Sequence, residues 1–420
     1  MNMLKKTGKI IIWFLVFLAL AVNLVILLTG RFYLYKTLAN TVFKGRLGPS
    51  IDEYHIFYNR KVSTGKPMPW TPSAQYNKKS IPSSYLPDFE KYQTAAYVII
   101  KNDSLCYEQY WDGYSDTSHT NSFSMAKSIT SILVGIAIAE GKIKGVDEPV
   151  SDFLPEFKKG MDSLLTIRDL LTMSSGMNFD ESYINPFAYP AQAYFGTDLQ
   201  DITLRYHVTE TPGQKFKYLS GNSTLLGMIL TRATGEPLAD YASEKLWQPL
   251  GAEYPAYWSL DHKDGLEKAY CCFNSNARDF ARIGQLYLDY GQWRDHSEMQ
   301  RHQSAAIRDL AVDTVSRPSL VWIYKQIVPR DYVLASITPK VADYYGYNWW
   351  ILNCNGHTVP YCRGILGQYI FIIPDENMVV VRLGKKRGPV ETGTTPDGKS
   401  YNIPEDGLVY LKAALEMYGK

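Results

Sequence analysis

A serine and a lysine three residues apart, Ser124 and Lys127, stand directly before a long apolar-patterned run, Ile129 to Ile143. Apolar side chains recur there at three- and four-residue steps, which is the pattern of a helix with one face in a protein core. Residues three apart lie on one face of a helix, with Cβ atoms about 5 to 6 Å apart. The sequence therefore predicts a buried helix whose first turn holds a hydroxyl and an amine within reach of each other.

This spacing suits nucleophilic catalysis. Serine is a weak nucleophile and needs an adjacent base, and lysine becomes that base when burial or a neighbouring cation favours its neutral form. Free N–H groups at the helix N-terminus favour an anionic intermediate at Ser124. The structural alternative is that Ser124 caps the helix and Lys127 is solvated. The motif alone does not separate the two.

A second constraint lies near the N-terminus, where the nineteen residues from Ile10 to Leu28 carry no charge. A helix of that length covers nearly all of the roughly 30 Å of a hydrocarbon core. Lysines precede the stretch, and by the positive-inside rule they place the N-terminus in the cytoplasm. A cleaved signal peptide is the alternative, with Ala19-Leu20-Ala21 as its site, but cleavage there would leave an exposed apolar tail. We expect residues 1–30 to form an uncleaved single-pass anchor in the inner (cytoplasmic) membrane, with the remainder on the extracytoplasmic, periplasmic side.

The composition is that of an ordinary globular protein behind this segment. The 420 residues are 45% hydrophobic and carry a formal net charge of +2, which gives no electrostatic case for a nucleic-acid partner. The five cysteines are too few and too irregular for a disulfide scaffold, and no metal-ligand pattern appears. We expect Cys271 and Cys272 to be two packed thiols, while Cys354 and Cys362 could bridge if their geometry permits.

The order of predicted elements indicates an α+β fold. Residues 31–90 are proline-punctuated and polar, and predict an irregular connector. A β-rich hairpin is predicted within Ala95 to Trp111, and a second within Tyr369 to Leu383, with a helix from Gly407 to Tyr418 behind it. Helical patterns fill the middle, as in residues 165–172 and 278–288. Residues 91–420 are therefore expected to form one domain: an antiparallel sheet built from both ends, flanked by helices, with an inserted helical lobe.

Two further stretches carry candidate chemistry. Tyr218 and Ser220 lie two apart in a predicted loop, and side chains two apart on an extended segment point the same way. Gly364 and Gly367 stand before the Tyr369 strand, where glycine lets another backbone or a ligand approach closely.

These stretches resemble those of the serine β-lactamase-like hydrolases, in their order and separation, from about residue 90 to residue 418. Within that superfamily the chain is similar to the class C β-lactamases, carboxylesterases, D-amino-acid peptidases and 6-aminohexanoate-dimer hydrolases. The blocks that carry the resemblance are Ser124-Met125-Ala126-Lys127, Leu165 to Met177, Pro212 to Gly227, and the glycine-bearing strand at Gly364. The resemblance implies a β-lactamase/transpeptidase-like fold.

The resemblance assigns roles residue by residue. It makes Ser124 the acylated nucleophile and Lys127 the amine that accepts its proton. Tyr218 matches the tyrosine that works with the lysine and passes a proton to the leaving group. Ser220 stands where asparagine is usual, and is expected to bond Lys127 or substrate. Asn222 is the substitute candidate for that place.

The third motif departs from the family pattern. Family members usually show Lys-Thr-Gly or His-x-Gly there, whereas this chain has Cys362-Arg363-Gly364. Arg363 replaces the lost cation only if its side chain faces the cleft, so efficient β-lactam hydrolysis is not expected. In the family, the N–H just after this glycine, here that of Ile365, pairs with the nucleophile's N–H to form the oxyanion hole.

The expectation is a serine hydrolase acting on a small-molecule ester, amide or peptide-like substrate, with no metal or organic cofactor. Tyr183, Tyr347, Trp349 and Trp350 are candidates for the cleft lining. A membrane-anchored sensor or binding module with little turnover is the rival from another class, and a structural envelope protein is the third reading. The sequence leaves the acyl group and the oligomeric state open.

Overall fold

The computed structural model describes residues 2–294, 324–395 and 398–419. The twelve α-helices of this part of the chain, α1 to α12 in order, are Asn2–Thr29, Tyr33–Asn40, Leu86–Lys91, Met125–Ala139, Ile167–Leu171, Tyr189–Phe195, Leu199–Thr203, Ser220–Thr234, Leu238–Ala242, Ala277–Leu288, Arg330–Ser336 and Glu405–Tyr418. Its fifteen strands, β1 to β15, are Asn59–Val62, Thr71–Pro72, Thr94–Lys101, Ser104–Tyr110, Thr120–Asn121, Ala256–Ser259, Phe273–Ser275, Gln292–Arg294, Tyr324–Gln326, Trp350–Cys354, His357–Gly364, Gln368–Ile373, Met378–Gly384, Val390–Thr394 and Ser400–Pro404.

A seven-stranded sheet joins the two ends of the domain, as predicted. Its strand order is β10-β11-β12-β13-β3-β4-β2, antiparallel except for the β2–β4 pair. The central pairing sets Val380 of β13 opposite Ile99 of β3. The β3–β4 hairpin turns through Asn102 and Asp103, both with positive φ, as a tight two-residue turn requires. The fold is therefore α+β, of the expected kind.

Both faces of this sheet are buried, each in its own apolar core. On one face Val98 and Val381 pack with the helical lobe that contains α4, α8 and α10. On the other, Ile99 and Val380 pack with the terminal helix α12 through Leu411. Alternate residues of a strand point to opposite faces, so β3 and β13 read as continuous apolar runs.

The helices begin where local capping chemistry places them. Thr166 caps α5 in a capping box with Asp169, and Asn276 caps α10 by accepting from the Asp279 N–H. The apolar run behind Ser124 becomes α4, which ends at Ala139, short of the predicted Ile143, because the chain turns through Gly141 with φ +68°.

The segment 31–90 contains short elements that its composition did not indicate. β1 is the edge of a four-stranded sheet of order β1-β6-β7-β5, and β2 joins the large sheet. α2 packs against α6 of the helical lobe. Among the described residues, one helix is long and apolar enough to cross a membrane, Lys6–Thr29, close to the expected anchor. Its polar residue Asn23 bonds its own helix at the Ala19 carbonyl.

The cysteines differ from expectation. Cys271 and Cys272 are joined by a disulfide and are not two packed thiols; the chain turns at Cys272 with φ +67°. Cys354 and Cys362 are both buried and unpaired. They lie in the cores on opposite faces of the sheet, which keeps their thiols apart.

Candidate active site

Ser124 stands at a tight turn between β5 and α4. Phe123, just before it, adopts φ +44°, a conformation that a bulky side chain rarely takes. The Asn121 side chain holds the turn by accepting the Phe123 N–H at 2.8 Å, and the Phe123 ring is buried. A residue in such a rare backbone conformation, here directly before the Ser124 hydroxyl, is typical of functional sites. The turn leaves Ser124 half-buried at the N-terminus of a helix whose first three turns are otherwise buried.

Lys127 lies beneath Ser124 and is 1% exposed. Its Nζ contacts three oxygens: Ser124 Oγ at 3.0 Å, Ser220 Oγ at 3.3 Å and the Tyr270 carbonyl at 2.9 Å. No carboxylate of the described residues lies within ion-pair distance of it. A buried amine without a countercharge is the arrangement in which lysine serves as a base.

The hydrogen bonds of Lys127 fix the position of its amine. Nζ donates to Ser124 Oγ, to Ser220 Oγ and to the Tyr270 carbonyl. These contacts hold the amine within hydrogen-bond distance of the Ser124 hydroxyl.

Glu181 extends this network by one step. The Ser220 hydroxyl donates to Glu181 Oε1 at 2.5 Å, and the Ser220 N–H donates to Oε2 at 2.8 Å. Ser220 opens α8, so the carboxylate also lies at a helix N-terminus, where negative charge is favoured. The result is a continuous line of hydrogen bonds from Ser124 through Lys127 and Ser220 to Glu181.

Tyr183 closes the network from the solvent side. Its hydroxyl donates to Glu181 Oε1 at 2.9 Å, although 56% of the residue is exposed. The hydroxyl contacts Glu181, while much of the ring is exposed to solvent. Burial of that hydroxyl, followed by the negative charge of Glu181, raises the pKa of Tyr183 well above its usual range. Tyr183 thus keeps its proton at neutral pH and donates a hydrogen bond to Glu181.

Tyr218 lies beside Lys127. Its ring centroid is 4.9 Å from Lys127 Nζ and 5.3 Å from the ring of Trp350, with Tyr345 on a third side. The Trp350 and Tyr345 rings thus hold the face of the Tyr218 ring beside the amine. The geometry brings together Ser124, Lys127, Tyr218 and Ser220, the four polar residues that the sequence motifs indicated.

Two backbone N–H groups near the Ser124 hydroxyl, those of Ser124 and Ile365, have no hydrogen-bond acceptor among the described residues. A Cβ on Gly364 would lie 2.3 Å from the Ser122 carbonyl, so only glycine lets β11 approach the Ser124 turn. Ile365, the next residue, lines the same cavity as Ser124. In the part of the chain that the structure describes, neither the Ser124 nor the Ile365 N–H has a hydrogen-bond acceptor. Paired free donors beside a nucleophile are what an oxyanion hole requires.

A cavity of about 170 Å³ opens over Ser124. Its floor includes Ser220, Tyr270, whose hydroxyl is buried without a partner, and Cys271 of the disulfide. The wall continues through α6 to Thr37, Thr41 and residues 47–49 of the N-terminal segment. The described residues contain no cluster of three or more histidine, cysteine or acidic side chains that could hold a metal ion.

Three of the candidate residues that do not line this cavity are held by packing or by contacts away from it. Asn222 is fully buried, accepts from the Ser175 hydroxyl at 2.8 Å and donates to Met173 Sδ. Trp349 is fully buried and stacks on Tyr287 with centroids 4.0 Å apart. Arg363 lies over the Trp350 ring and donates to Asn402 Oδ1 at 2.9 Å. Packing explains the first two, and the third braces the ring that supports Tyr218.

The sequence reading missed Glu181, Tyr270 and the part of the N-terminal segment that lines the cavity. Glu181 reaches Ser220 across 39 residues of chain, and Lys127 reaches the Tyr270 carbonyl across 143. Neither contact follows from local periodicity. The acidic pair Asp180-Glu181, two residues before Tyr183, was the available signal for Glu181.

Comparison with known proteins identifies the family of this chain. A family model described as Beta-lactamase matches residues 85–398. The chain is 26% identical over 337 residues to a 6-aminohexanoate-dimer hydrolase from Paenarthrobacter ureafaciens, covering 76% of this chain and 81% of that protein. It is 30% identical over 140 residues to Esterase EstB from Burkholderia gladioli, covering 30% of this chain and 36% of the esterase.

A solved structure shares the fold. It is described as a "putative 6-aminohexanoate-dimer hydrolase from Bacillus anthracis" and superposes with a TM-score of 0.62 at 21% identity. The superposition covers 78% of this chain and 85% of that one.

Proposed function

This chain belongs to the beta-lactamase family, and from that premise we propose that it is a membrane-anchored serine hydrolase that cleaves ester or small amide bonds through an acyl-enzyme on Ser124. One observation carries the proposal: the buried Lys127 amine lies 3.0 Å from the Ser124 hydroxyl. The relatives are named as a hydrolase and an esterase, and hydrolysis of esters or amides is the activity that they share with this chain's site.

The first step is attack of Ser124 Oγ on the substrate carbonyl. A bond forms between Oγ and the carbonyl carbon while the hydroxyl proton passes to Lys127 Nζ. Ser220 and the Tyr270 carbonyl hold that amine by accepting its two N–H bonds. The developing oxyanion accepts from the Ser124 and Ile365 N–H groups, and each such donor lowers the barrier by about 3 to 4 kcal/mol.

Collapse of this intermediate breaks the bond to the leaving group. Tyr218, whose ring lies 4.9 Å from Lys127 Nζ, donates a proton to the departing oxygen or nitrogen and is reprotonated from Lys127. Water then attacks the acyl carbonyl carbon from the position of the leaving group, and its proton passes to Lys127 through Tyr218. The bond between that carbon and Ser124 Oγ breaks, Lys127 returns the proton to Oγ, and the acid is released. Glu181 is the positioning residue of this scheme, because it fixes the Ser220 hydroxyl that faces Lys127.

The anchor is the second part of the proposal. The helix Lys6–Thr29 carries no charge after Lys9, and the lysines before it favour a cytoplasmic N-terminus. We infer that residues 1–30 hold the enzyme on the inner (cytoplasmic) membrane, with the hydrolase domain on the extracytoplasmic side. In this proposal the chain consists of the anchor, a connecting segment of residues 31–90 and a hydrolase domain of residues 91–420.

The test is a hydrolysis panel with the full chain in detergent. p-Nitrophenyl esters, D-amino-acid amides and a chromogenic cephalosporin are compared for the native protein and for Ser124→Ala. We expect turnover of at least one ester or amide, slow or no turnover of the cephalosporin, and no enzymatic rate in Ser124→Ala. An ester rate that survives in Ser124→Ala overturns the assignment. An acylation burst without steady turnover replaces the hydrolase with a slow acyl-enzyme module.

A further inference from the structure

The N-terminal segment forms part of the catalytic cavity. Thr37 and Thr41 of α2, together with residues 47–49, line the cavity that contains Ser124. These residues follow the end of the apolar helix α1, Thr29, by 8 to 20 positions in the sequence. The wall of the cavity is thus continuous with the segment that leaves the proposed anchor.

Side-chain contacts tie this segment to the loop 182–187, which carries cavity residues. Arg31 donates to the Phe187 carbonyl at 3.1 Å, and Tyr33 donates to the Pro186 carbonyl at 2.8 Å. Tyr183 and Ile184 in that loop line the cavity. The end of the apolar helix therefore lies directly beside the cavity mouth.

The chain also folds back along α1 after it ends. It turns at Gly30 with φ +65°, and the Tyr35 hydroxyl on α2 then donates to Asn23 Oδ1 at 2.8 Å. Ile26, on the same helix, is fully buried. Asn23 lies six residues before Thr29, which is about 9 Å along a helix. The domain therefore overlaps the last two turns of the proposed membrane helix.

Exposed apolar side chains surround the cavity mouth on this side. Leu47 is 100% exposed, Ile184 95% and Phe43 79%, and Leu47 and Ile184 also line the cavity. We call five exposed residues the apolar rim: Val42, Phe43, Leu47, Ile184 and Phe187. A cluster of this kind on a soluble surface marks a membrane or protein contact. Val42 and Phe43 follow the C-terminal end of α2, which runs back along α1.

We propose that the apolar rim docks into the surface of the bilayer that holds α1, so that the catalytic cavity opens onto lipid and takes an amphiphilic ester or amide with a long acyl or alkyl chain from the membrane. This inference rests on the proposed anchor and hydrolase activity. The bilayer is the occupant because the rim is continuous with α1, and exposed Lys44 beside Phe43 suits the headgroup layer.

The substrate class follows from the two ends of the cavity. The Ser124 end presents an amine, hydroxyls and two free N–H groups, which suit one ester or amide carbonyl. The mouth presents Leu47, Ile184 and Pro186, which suit a hydrocarbon chain. A substrate with both an ester or amide carbonyl and a hydrocarbon chain is concentrated at the membrane surface, where the mouth of the cavity would lie.

The direct test measures the depth of the rim and needs no catalysis. Phe43→Cys is labelled with an environment-sensitive fluorophore in the full chain, reconstituted in phosphatidylethanolamine/phosphatidylglycerol vesicles. Leu164→Cys, at an exposed apolar position outside the rim, is the matched control. The three unpaired native cysteines are buried, which favours labelling at the introduced site. The quenching of each fluorophore by lipid-borne nitroxides is then compared with its quenching by a water-soluble quencher.

We expect the label at position 43 to be quenched by lipid-borne nitroxides and protected from the aqueous quencher, with the reverse at position 164. A label at position 43 that the aqueous quencher reaches overturns the proposal. Protection from both quenchers also overturns it, because the rim would then be covered by protein, such as a second copy of the chain.

An activity test addresses the substrate class. Val42→Asp/Phe43→Asp removes rim residues that do not line the cavity, and Met161→Asp/Leu164→Asp is the control pair. We expect the rim pair to slow hydrolysis of a long-chain ester embedded in vesicles by about tenfold or more, since each buried apolar side chain favours the lipid by more than a factor of ten. Hydrolysis of a short soluble ester stays at the native rate in both pairs.

Equal long-chain rates in the native protein and the rim pair contradict the proposal. If the short soluble ester is hydrolysed equally by the native protein and Ser124→Ala, the proposed hydrolase fails instead. In that case the quenching result still shows whether the apolar rim lies in the bilayer, because it does not depend on catalysis.

Discussion

The Ser220 hydroxyl donates a 2.5 Å hydrogen bond to Glu181 Oε1, and Ser220 Oγ itself accepts from Lys127 Nζ at 3.3 Å. Ser220 therefore links an acidic group to the amine that contacts Ser124. Glu181 receives two further donors, the Ser220 N–H and the Tyr183 hydroxyl, which fix its orientation. None of these contacts joins the carboxylate to Ser124, so in the proposed mechanism Glu181 acts by holding Ser220.

Replacing Glu181 by glutamine should lower kcat by about 10- to 100-fold, since part of the contribution of positioned proton-transfer groups is lost. KM should change little, because Glu181 contacts Ser220 and Tyr183 at the catalytic end of the cavity. Steady-state kinetics with a soluble ester measure both constants. Glu210→Gln, at an exposed ion pair with Lys215, is the control. Equal kcat values in the native protein and Glu181→Gln would return Glu181 to a structural role.

Replacing Gly364 by alanine should lower kcat by about 100- to 1000-fold, the cost of losing one oxyanion donor. The new Cβ would lie 2.3 Å from the Ser122 carbonyl, so β11 must move and carry the Ile365 N–H with it. The kinetics of Gly145→Ala provide the reference, since that Cβ meets nothing within 4 Å. A Gly364→Ala protein that keeps its fold by circular dichroism and its native kcat would remove Ile365 from the mechanism.

Replacing Tyr218 by phenylalanine should lower kcat by about 100- to 10,000-fold and leave KM unchanged, because the ring still packs against Trp350 while the proton donor is lost. Tyr58→Phe, at an exposed ring, controls for the loss of a hydroxyl. An unchanged rate in Tyr218→Phe would assign the residue to packing.

Lys268 gives a prediction about pH and stability. It is fully buried, donates to the Tyr194 and Leu260 carbonyls, and its pKa is well below the usual range because of burial and, second, the charge of Lys36. Unfolded lysine binds a proton up to about pH 10.4, so between the two pKa values the unfolded state holds more protons and stability rises with pH.

The free energy of unfolding of the native protein should therefore rise relative to that of Lys268→Met between about pH 8 and about pH 10, by at most about 1.4 kcal/mol per pH unit. Chemical denaturation in detergent at several pH values measures the difference. Lys78→Met, at an exposed site, should show no such trend. A native-minus-variant difference that falls with pH would mean that Lys268 is charged in the folded protein.

Much of the fold and the centre of the site follow from local pattern. The two hairpins predicted near the domain ends form adjacent parts of one sheet, where β13 pairs with β3. The i to i+3 spacing brings Lys127 to Ser124, as expected. These features were predictable because periodicity and turn chemistry act within a few residues.

The remainder depends on contacts between distant parts of the chain. The sequence predicts a loop at Ser220, but the structure begins α8 there, and Glu181 accepts the Ser220 N–H. Trp349 and Trp350 are adjacent, yet one stacks on Tyr287 in the core and the other supports Tyr218. Pattern alone does not say which neighbour faces the cleft.

The central claim is that Ser124 is the acylated nucleophile, and covalent labelling tests it most directly. The full chain, Ser124→Ala and the control Ser104→Ala are treated with a fluorophosphonate probe, and the labelled peptide is identified by mass spectrometry. We predict one labelled site, Ser124, in the native protein and in Ser104→Ala, and no labelling in Ser124→Ala. Labelling that persists in Ser124→Ala, or that falls on another residue of the native protein, would contradict the account.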